Sequence, residues 1–416
     1  MNNQKTLSIL SAGAGLLFFL QACNSVNSTT TNTENINSEQ STTAKVEPTS
    51  QIKTDPLAKF DKANSKKLTD TAKLFAGMNL DANSPFAGVQ KTNGWRNHQN
   101  FFKNAWSKLE QQQLTKVRKW GAEELKQINA ASPSVFYPFS GPDFLYAYSL
   151  FPKAKEYVLV GLEPVGTIPD FTKFNNNQIN YKLRESRSSL SEILQFSFFR
   201  TNDMKVDLQK QGVLPILYIF MARTGNRILD LQYVGLDKDA NIQKFQKGMV
   251  PGVKISFVPD KDKEESEPRN LYYFSTDLSN SGLTKRPELT KFVNNLENPV
   301  TYLKAASYLM YNSSFSNIKN TILANSSHIL QDDSGMPLKS FDKSQWDLTF
   351  YGAYTRPIGL FRNRYQSDLR KAYKGNRNIK TLDFGIGYKF GVNQSNLMLA
   401  ETKDTGKKSQ DLVEGK

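Results

Sequence analysis

Residues 134–166 read SVFYPFSGPDFLYAYSLFPKAKEYVLVGLEPVG, and this stretch decides the predicted fold. The apolar run at 135–139 predicts a strand, and the turn that follows it contains Gly141. A short helix comes next, and a second apolar run at 157–162 predicts another strand, which ends at Glu163. Two strands joined through a helix make a βαβ unit, the building block of sheets with parallel strands.

The turn within this unit combines residues that suit the start of a helix. Pro142 fits the first helical turn, and Asp143 fits the positive end of the helix dipole. The order of strand, glycine turn, helix, strand and acid resembles the opening of a Rossmann-like methyltransferase. This resemblance implies that Ser140 and Gly141 contact a cofactor and that Glu163 holds its ribose hydroxyls. Only one glycine stands in the turn, however, and Pro142 lacks an amide that such a cradle uses.

Segments after this unit predict antiparallel strands and further helices. Apolar runs at 213–221 and 228–236 are interpreted as two paired strands, and runs at 253–258 and 271–276 as a hairpin. Residues 299–311 begin with a proline and are interpreted as a helix. The predicted fold is therefore α/β or α+β, with a mixed sheet that contains a Rossmann-like βαβ unit and antiparallel hairpins, and with helices packed around it.

A polar segment from residue 328 onward supplies candidate catalytic side chains. It brings an imidazole, two carboxylates and a hydroxyl close together in sequence, which is a composition that suits a hydrolytic or a metal site. The same residues also fit a helix exit followed by an Asx turn, so both interpretations stay open. With the acids of the βαβ unit, the candidate catalytic residues are Asp143, Glu163, His328, Asp332, Asp333 and Ser334.

The residue inventory argues against several chemistries. The chain has two histidines and one cysteine, so no zinc or other metal site is predicted. It contains neither G-x-S-x-G nor the eight-residue phosphate loop, so neither a serine hydrolase elbow nor a nucleoside triphosphatase is expected.

Residues 356–380 form the most positively charged stretch of the chain. They contain eight Lys or Arg and one acid, Asp368, with aromatic residues between them. Guanidinium groups bind phosphate well, so the stretch predicts an anion-binding surface, although half of it also fits an ordinary solvated helix face. The candidate anion-binding residues are Arg356, Arg362, Arg364, Arg370 and Lys371.

The first twenty-three residues have the pattern of an export signal followed by a lipid attachment site. Lys5 precedes an apolar run at 7–20 that is too short and too rich in Gly and Ser to span a bilayer stably. The ending Leu20-Gln21-Ala22-Cys23 resembles the lipobox of bacterial lipoproteins. The resemblance implies that a signal peptide at 1–22 is removed and that Cys23 carries the lipid through which the protein binds a membrane. The competing interpretation is a chance thiol beside an ordinary secretory signal.

The residues around this cysteine also bear on location and on cofactors. Asn24 follows it instead of Asp, which by analogy with the enteric sorting rule favours the outer membrane of a Gram-negative bacterium. With its one cysteine lipidated, the mature chain has no thiol left for a disulfide. An exported protein has no supply of adenosylmethionine, NAD or ATP. No cofactor is therefore predicted, and we expect the Rossmann-like site to be absent or rebuilt.

Composition divides the rest of the chain into three parts. Residues 23–56 are rich in Ser, Thr and Asn, which predicts a lipidated, disordered tether. Residues 57–400 are expected to form a globular domain, or two subdomains with a break near 280–300. Residues 401–416 are predicted to be a disordered, charged tail.

The formal net charge of +15 favours an anionic neighbour, and the charge by itself does not choose among the anions of a cell envelope. Nucleic acid is not expected as a partner. The aromatic patterns of residues 134–166 and of the segment around Gln331 resemble uncharacterised bacterial envelope proteins. The leading hypothesis is a lipid-anchored envelope protein that binds an anionic envelope component or a protein partner. The alternatives are a carboxylate-dependent hydrolase of envelope glycan or lipid, and a degenerate methyltransferase-like protein.

Overall fold

The computed structural model of the chain describes residues 56–196, 212–260, 267–389 and 391–403. The predicted signal peptide, Cys23 and the predicted tether as far as residue 55 lie outside these residues. Residues 404–416 of the predicted tail also lie outside them. All described residues belong to one compact unit, Thr54–Lys416.

The strands all join one sheet, and helices fill most of the connections between them. The strands are β1 (Ser134–Tyr137), β2 (Glu156–Gly161), β3 (Asn226–Leu236), β4 (Ile242–Lys244), β5 (Val250–Pro259), β6 (Arg269–Ser275), β7 (Val300–Leu303), β8 (His328–Gln331), β9 (Trp346–Gly352) and β10 (Asn396–Thr402). The α-helices are α1 (Lys62–Phe75), α2 (Asn93–Leu109), α3 (Thr115–Glu124), α4 (Lys126–Ala130), α5 (Phe144–Leu150), α6 (Asn176–Phe196), α7 (Leu214–Arg223), α8 (Asn280–Lys285), α9 (Glu288–Asn294), α10 (Ser316–Asn325) and α11 (Ser367–Tyr373).

The strand order across the sheet is β4-β3-β5-β6-β2-β1-β7-β8-β10-β9. The five central neighbours, from β6 to β8, are parallel to one another. Numbered among themselves along the chain, they have the order 3-2-1-4-5, with which the doubly wound sheets that bind dinucleotides begin. Antiparallel strands extend the sheet at both edges. The predicted mixed sheet with helices around it is confirmed, including the βαβ unit of β1, α5 and β2 and the hairpin of β5 and β6.

The sheet separates two hydrophobic cores, one on each face. Alternate residues of a strand belong to different cores: Val135 and Tyr137 pack into the first, whereas Phe136 packs into the second. The first core contains the helices of the amino-terminal half together with α7, and the second contains α8, α9 and α10. A parallel sheet is stable when both of its faces are covered, so this arrangement accounts for the long apolar runs in the central strands.

The prediction of a strand at 213–221 is wrong, because this run forms helix α7. A continuous apolar run fits a buried strand and a buried helix equally well. Pro215 lies in the first turn of α7, where its missing amide costs nothing, whereas a proline would break the ladder of a central strand. Strand β3, at the predicted 228–236, therefore pairs with β5 and β4 instead.

The prediction of one helix over 299–311 is also wrong. Its first residues form β7, which pairs in parallel with β1 on one side and β8 on the other. Pro299 suits the start of a helix, but a proline also suits the start of a strand. Residues 300–303 form a strand because they pair with strands on both sides, and the local sequence carries no information about that pairing.

The carboxyl-terminal strand lies later in the chain than the sequence predicts. Alternate apolar residues at 381–390 predict a strand, and Leu382, Phe384 and Ile386 are indeed buried. The described part of that segment, residues 381–389, forms no ladder, however, and β10 is the strand that pairs with both β8 and β9. Strand β10 reaches Thr402, inside the predicted tail.

Among the described residues, no helix is both long enough and apolar enough to cross a bilayer.

Candidate functional site

A cavity of about 240 Å³ opens at the carboxyl edge of the parallel strands. It lies where β1 and β7 are neighbours, which is the point where the strand order reverses: β2 lies on one side of this pair and β8 on the other. Open α/β sheets bind their ligands in the crevice at such a reversal. The cavity lining includes Phe139, Gly141, Asp143, Glu163, Lys304 and Ser307.

The backbone around the cavity adopts an unfavourable conformation at several positions. Three lining residues that are not glycine have left-handed backbone angles, Phe139 (φ 61°), Ala305 (φ 52°) and Ser307 (φ 53°), and Tyr308 (φ 56°) follows them. Each such residue costs roughly 1–2 kcal/mol. Strain of this kind persists only where surrounding contacts enforce it, and it is concentrated at ligand sites. The backbone geometry therefore makes this cavity the candidate ligand site.

A buried ion pair forms part of the cavity wall. Lys304 Nζ lies 2.6 Å from Asp143 Oδ2, and the two side chains are 3% and 4% exposed. Asp143 also accepts hydrogen bonds from the Tyr146 amide at 3.2 Å, which caps α5, and from Tyr137 Oη at 2.9 Å. Burial raises the pKa of Asp143 and lowers that of Lys304, while the opposite charge of each partner works against these shifts. Because its partners are internal, Asp143 serves to position the turn and is poorly placed for proton transfer.

Glu163 lies at the rim of the cavity, directly after β2, and is partly exposed. Tyr273 Oη donates a hydrogen bond to the Glu163 backbone carbonyl at 2.8 Å and lies 3.4 Å from its Oε2. A Cβ atom added to Gly161 would lie 2.5 Å from Glu163 Oε2, and one added to Gly141 would lie 3.7 Å from it. Gly161 therefore leaves room for the carboxylate, whereas a Cβ on Gly141 would meet it at ordinary van der Waals distance. With the exposed Asp277 after β6, Glu163 gives the rim acceptors for ligand hydroxyl or amino groups.

Asp332 and Ser334 form a turn after β8 that supports the strained loop after β7. The Asp332 carboxylate accepts hydrogen bonds from the amides of Ala305 (3.0 Å) and Ser334 (2.9 Å), and from Ser334 Oγ. Ser334 Oγ in turn accepts one from the Ala306 amide at 2.8 Å. Burial, followed by the nearby charge of Asp333, raises the pKa of Asp332 to about 6. The cluster is an Asx turn, and it follows a strand instead of the helix considered from the sequence.

Asp333 also supports the strained loop after β7. Its carboxylate accepts hydrogen bonds from Tyr308 Oη and, at 2.9 Å, from Asn396 Nδ2 of β10. It thereby joins the strained loop to the last strand of the sheet.

The structure does not bring His328 to Asp332. His328 begins β8 and Asp332 follows its end, so the two lie at opposite edges of the sheet, separated by roughly 13 Å of extended chain. His328 Nε2 lies 3.5 Å from Glu401 Oε1 and borders a different cavity, of about 690 Å³. The predicted combination of imidazole and carboxylates therefore does not form. Within the described ranges, no group of three or more His, Cys, Asp or Glu side chains is arranged to hold a metal ion.

The predicted anion-binding residues lie on the surface, outside the cavity lining. Arg356, Arg362 and Lys371 are exposed, whereas Arg364 and Arg370 are partly buried. Arg370 Nη1 donates a hydrogen bond to the Tyr354 carbonyl at 3.1 Å. Among the residues that the structure describes, none of the five forms an ion pair with a carboxylate, in contrast to Lys380, which pairs with Glu124. Arg356, Arg362 and Lys371 are therefore available to an anion, whereas Arg364 and Arg370 are available only in part.

The sequence interpretation missed Lys304 and the strained loop that follows it. A single lysine after the apolar residues 300–303 was the available signal for a buried ion pair, and it is a weak one. Ala305, Ser307 and Tyr308 have no side-chain preference for left-handed angles, so sequence carries no signal for their conformation.

No protein-family model matches the chain, and no curated protein is detectably similar to it.

Proposed function

We propose that this protein is anchored by lipid on Cys23 in the cell envelope, at the outer membrane of a Gram-negative bacterium, and that its α/β domain binds a small hydroxyl-bearing ligand. The supporting observation is the cavity at the reversal of strand order, around which three strained lining residues and the acid Glu163 converge. Volumes of typical small-molecule sites begin near 300 Å³, so about 240 Å³ suits a small ligand or one part of a larger one.

The chemistry of the rim supports a ligand with hydroxyl or amino groups. Glu163 and Asp277 accept hydrogen bonds, whereas the one lysine of the lining is paired with Asp143. An anionic ligand would meet two rim carboxylates, so the anionic envelope component of the leading hypothesis fits the basic surface and not this cavity.

A methyltransferase-like ancestry is the second candidate, and the order of the parallel strands favours it. Glu163 stands after β2, where the resembling family has the acid that holds ribose. The turn after β1 differs from that family, because Asp143 and Lys304 fill its wall with a salt bridge. We propose that the site is rebuilt for a different ligand.

The hydrolase alternative has less support. A pair of acid and base needs two carboxylates that reach the substrate, but Asp143 and Asp332 are buried and committed to internal partners. Glu163 would have to act with Asp277 alone.

The ligand proposal predicts that Glu163→Gln weakens binding at least about tenfold, since one charge-assisted hydrogen bond contributes roughly 1.5–3 kcal/mol. Calorimetric titration with adenosine, adenosylmethionine and the N-acetylglucosamine dimer measures the affinities. Glu123→Gln removes the same charge from an exposed site on α3 and should change nothing. If none of the three probes binds, or if both variants behave alike, the ligand proposal is wrong. Heat with adenosylmethionine alone would favour the second candidate.

The anchor proposal predicts a lipid-sized mass increase on Cys23 and a signal peptide that has been removed. Cys23→Ser should lower the share of the protein in the membrane fraction, because two or three acyl chains bind almost permanently. Mass spectrometry of the purified protein checks both points. An uncut leader or an unmodified thiol contradicts the proposal.

A further inference from the structure

A surface loop at residues 359–365, GLFRNRY, contains kinked 3₁₀ turns over Gly359–Arg364 and presents an aliphatic side chain to solvent between positive charges. Leu360 is 79% exposed, the highest value among the large hydrophobic side chains that the structure describes as exposed. Tyr365 is 49% exposed, and Arg362 is exposed beside it. A leucine as open as this contributes little to the core, so its side chain is available to a partner outside the folded domain.

Aromatic side chains of the loop pack on aromatic side chains of the domain. The Phe361 ring is 5.0 Å from the ring of Tyr308 and 5.2 Å from that of Tyr388. Tyr365 stacks at 6.4 Å on Tyr354. Because these aromatic contacts fix its base, the loop presents Leu360 as a defined protrusion.

The charge around the protrusion is mainly positive. Arg356, Arg362, Arg364 and Lys371 surround it in sequence, and Asp368 is the single acid from 356 to 380. In the described part of the chain, none of these four cations forms an ion pair. An exposed aliphatic group between unpaired cations and a tyrosine matches the boundary between headgroups and acyl chains of an anionic bilayer.

We propose that residues 359–365 are a membrane-docking loop, which inserts Leu360 at the acyl-chain boundary of an anionic phospholipid bilayer while Arg362 and Arg364 bind headgroup phosphates. This inference rests on the proposed envelope location and adds the surface through which the domain meets the bilayer. The lipid on Cys23 would hold the loop close to that bilayer, which raises its effective concentration there.

Docking would also orient the cavity. Tyr388 contacts Phe361 of the loop, lines the cavity and donates a hydrogen bond to the Ala305 carbonyl at 2.8 Å. A docked loop would therefore bring the β7 side of the cavity rim toward the bilayer, where a ligand with a membrane-borne portion would be accessible.

The test uses the mature chain without its lipid, residues 23–416 with Cys23→Ser, which retains every described residue. Co-sedimentation with vesicles of phosphatidylglycerol and phosphatidylcholine should show binding that falls at least tenfold on pure phosphatidylcholine. Leu360→Asp should lower the partition coefficient at least tenfold, and so should the double change Arg362→Glu with Arg364→Glu. The melting temperature of the Leu360→Asp variant should stay unchanged, because Leu360 lies outside the core.

Two controls match these variants. Phe245→Asp replaces another exposed hydrophobic residue, 43% exposed near the opposite sheet edge beside β4. Lys103→Glu with Lys108→Glu makes the same change of charge on the exposed face of α2. Both controls should bind vesicles like the parent, and Glu163→Gln should too, so failure of docking is distinguishable from failure of the ligand site.

Three outcomes would overturn the proposal. Binding that survives both loop variants would place the contact elsewhere. Binding lost only with the arginine changes would indicate surface adhesion without insertion. Equal losses in the loop variants and the Lys103/Lys108 control would indicate a general effect of net charge.

Discussion

At the scale of single residues, the buried Lys304–Asp143 pair is the contact on which the cavity wall depends. Taking two charges out of water costs several kcal/mol for each ion, and the pair compensates by its 2.6 Å contact and by the hydrogen bonds to Asp143. Lys304 Nζ also lies 3.6 Å from the centroid of the Tyr146 ring, which adds a cation–π contact. The pair thereby fixes the turn after β1 to the loop after β7.

Substitutions of Lys304 and Asp143 should have strongly coupled effects on the free energy of unfolding. Lys304→Met should lower the free energy of unfolding by about 3–5 kcal/mol, because it leaves a buried carboxylate without its cation. Adding Asp143→Asn should recover a large part of this loss, since the amide is neutral and still caps α5. Urea denaturation of the two single variants and the double variant measures the coupling. Additive effects would contradict the interpretation.

At the scale of elements, β10 completes the sheet. It pairs with β8 on one side and with β9 on the other, and its Asn396 holds Asp333. Without β10, the strand β9 would lose its strand neighbour, and the support of the loop after β7 would lose one of its bonds. The sequence predicts a disordered tail from residue 401 onward, because polar residues near a terminus give no local signal that they pair in a sheet.

The position of β10 in the sheet predicts how far the chain can be shortened from its carboxyl end. Ending the chain after Lys403 should leave the melting temperature within about 2 °C of the value for the full chain. This truncation keeps all of β10 and also keeps the hydrogen bond from the Lys403 amide to the Gln345 carbonyl. Ending it after Gln394 removes β10 and should abolish cooperative unfolding. Circular dichroism melts of both forms check this. A cooperative transition in the shorter form would show that β10 is dispensable.

At the scale of the whole molecule, the stability should depend on pH through His98. This residue is fully buried on α2, where Nε2 bonds the Phe75 carbonyl at 2.9 Å, and burial lowers its pKa to about 4. The unfolded chain, with a pKa near 6.5, therefore takes up the proton first as the pH falls. The contribution of neutral His98 is complete above pH 6.5 and is lost progressively between pH 6.5 and 4, by up to about 3 kcal/mol.

His98→Phe tests this dependence and keeps an aromatic ring between Trp95 and Phe102. At pH near 7 the variant should be less stable, because the Phe75 carbonyl loses its donor. The free-energy difference between parent and variant should shrink or reverse as the pH falls toward about 4.5. Asp332 shifts stability in the opposite sense, since its raised pKa disfavours the folded state as the pH rises through about 6, but this cancels in the comparison. Parallel pH profiles for the two proteins would contradict the role of His98.

The sequence by itself determined the βαβ unit at residues 134–166, the hairpin of β5 and β6 and the mixed class of sheet. Each of these depends on local information: apolar runs of strand length, a turn with Gly141 and Pro142, and an acid placed where a strand ends. It also placed Glu163 and Gly141 at one site, because the carboxyl ends of neighbouring parallel strands share an edge.

Only the tertiary structure decided which apolar runs became strands, and which polar residues met. Residues 214–223 form a helix and residues 300–303 form a strand because of the elements that pack around them. The hydrophobic periodicity of the sequence carries no information about this packing. His328 and Asp332, four positions apart in sequence, lie at opposite edges of the sheet, whereas Asp143 and Lys304, far apart in sequence, form one ion pair. The physical reason is that strand pairing acts across the whole chain, while sequence patterns report only on neighbours.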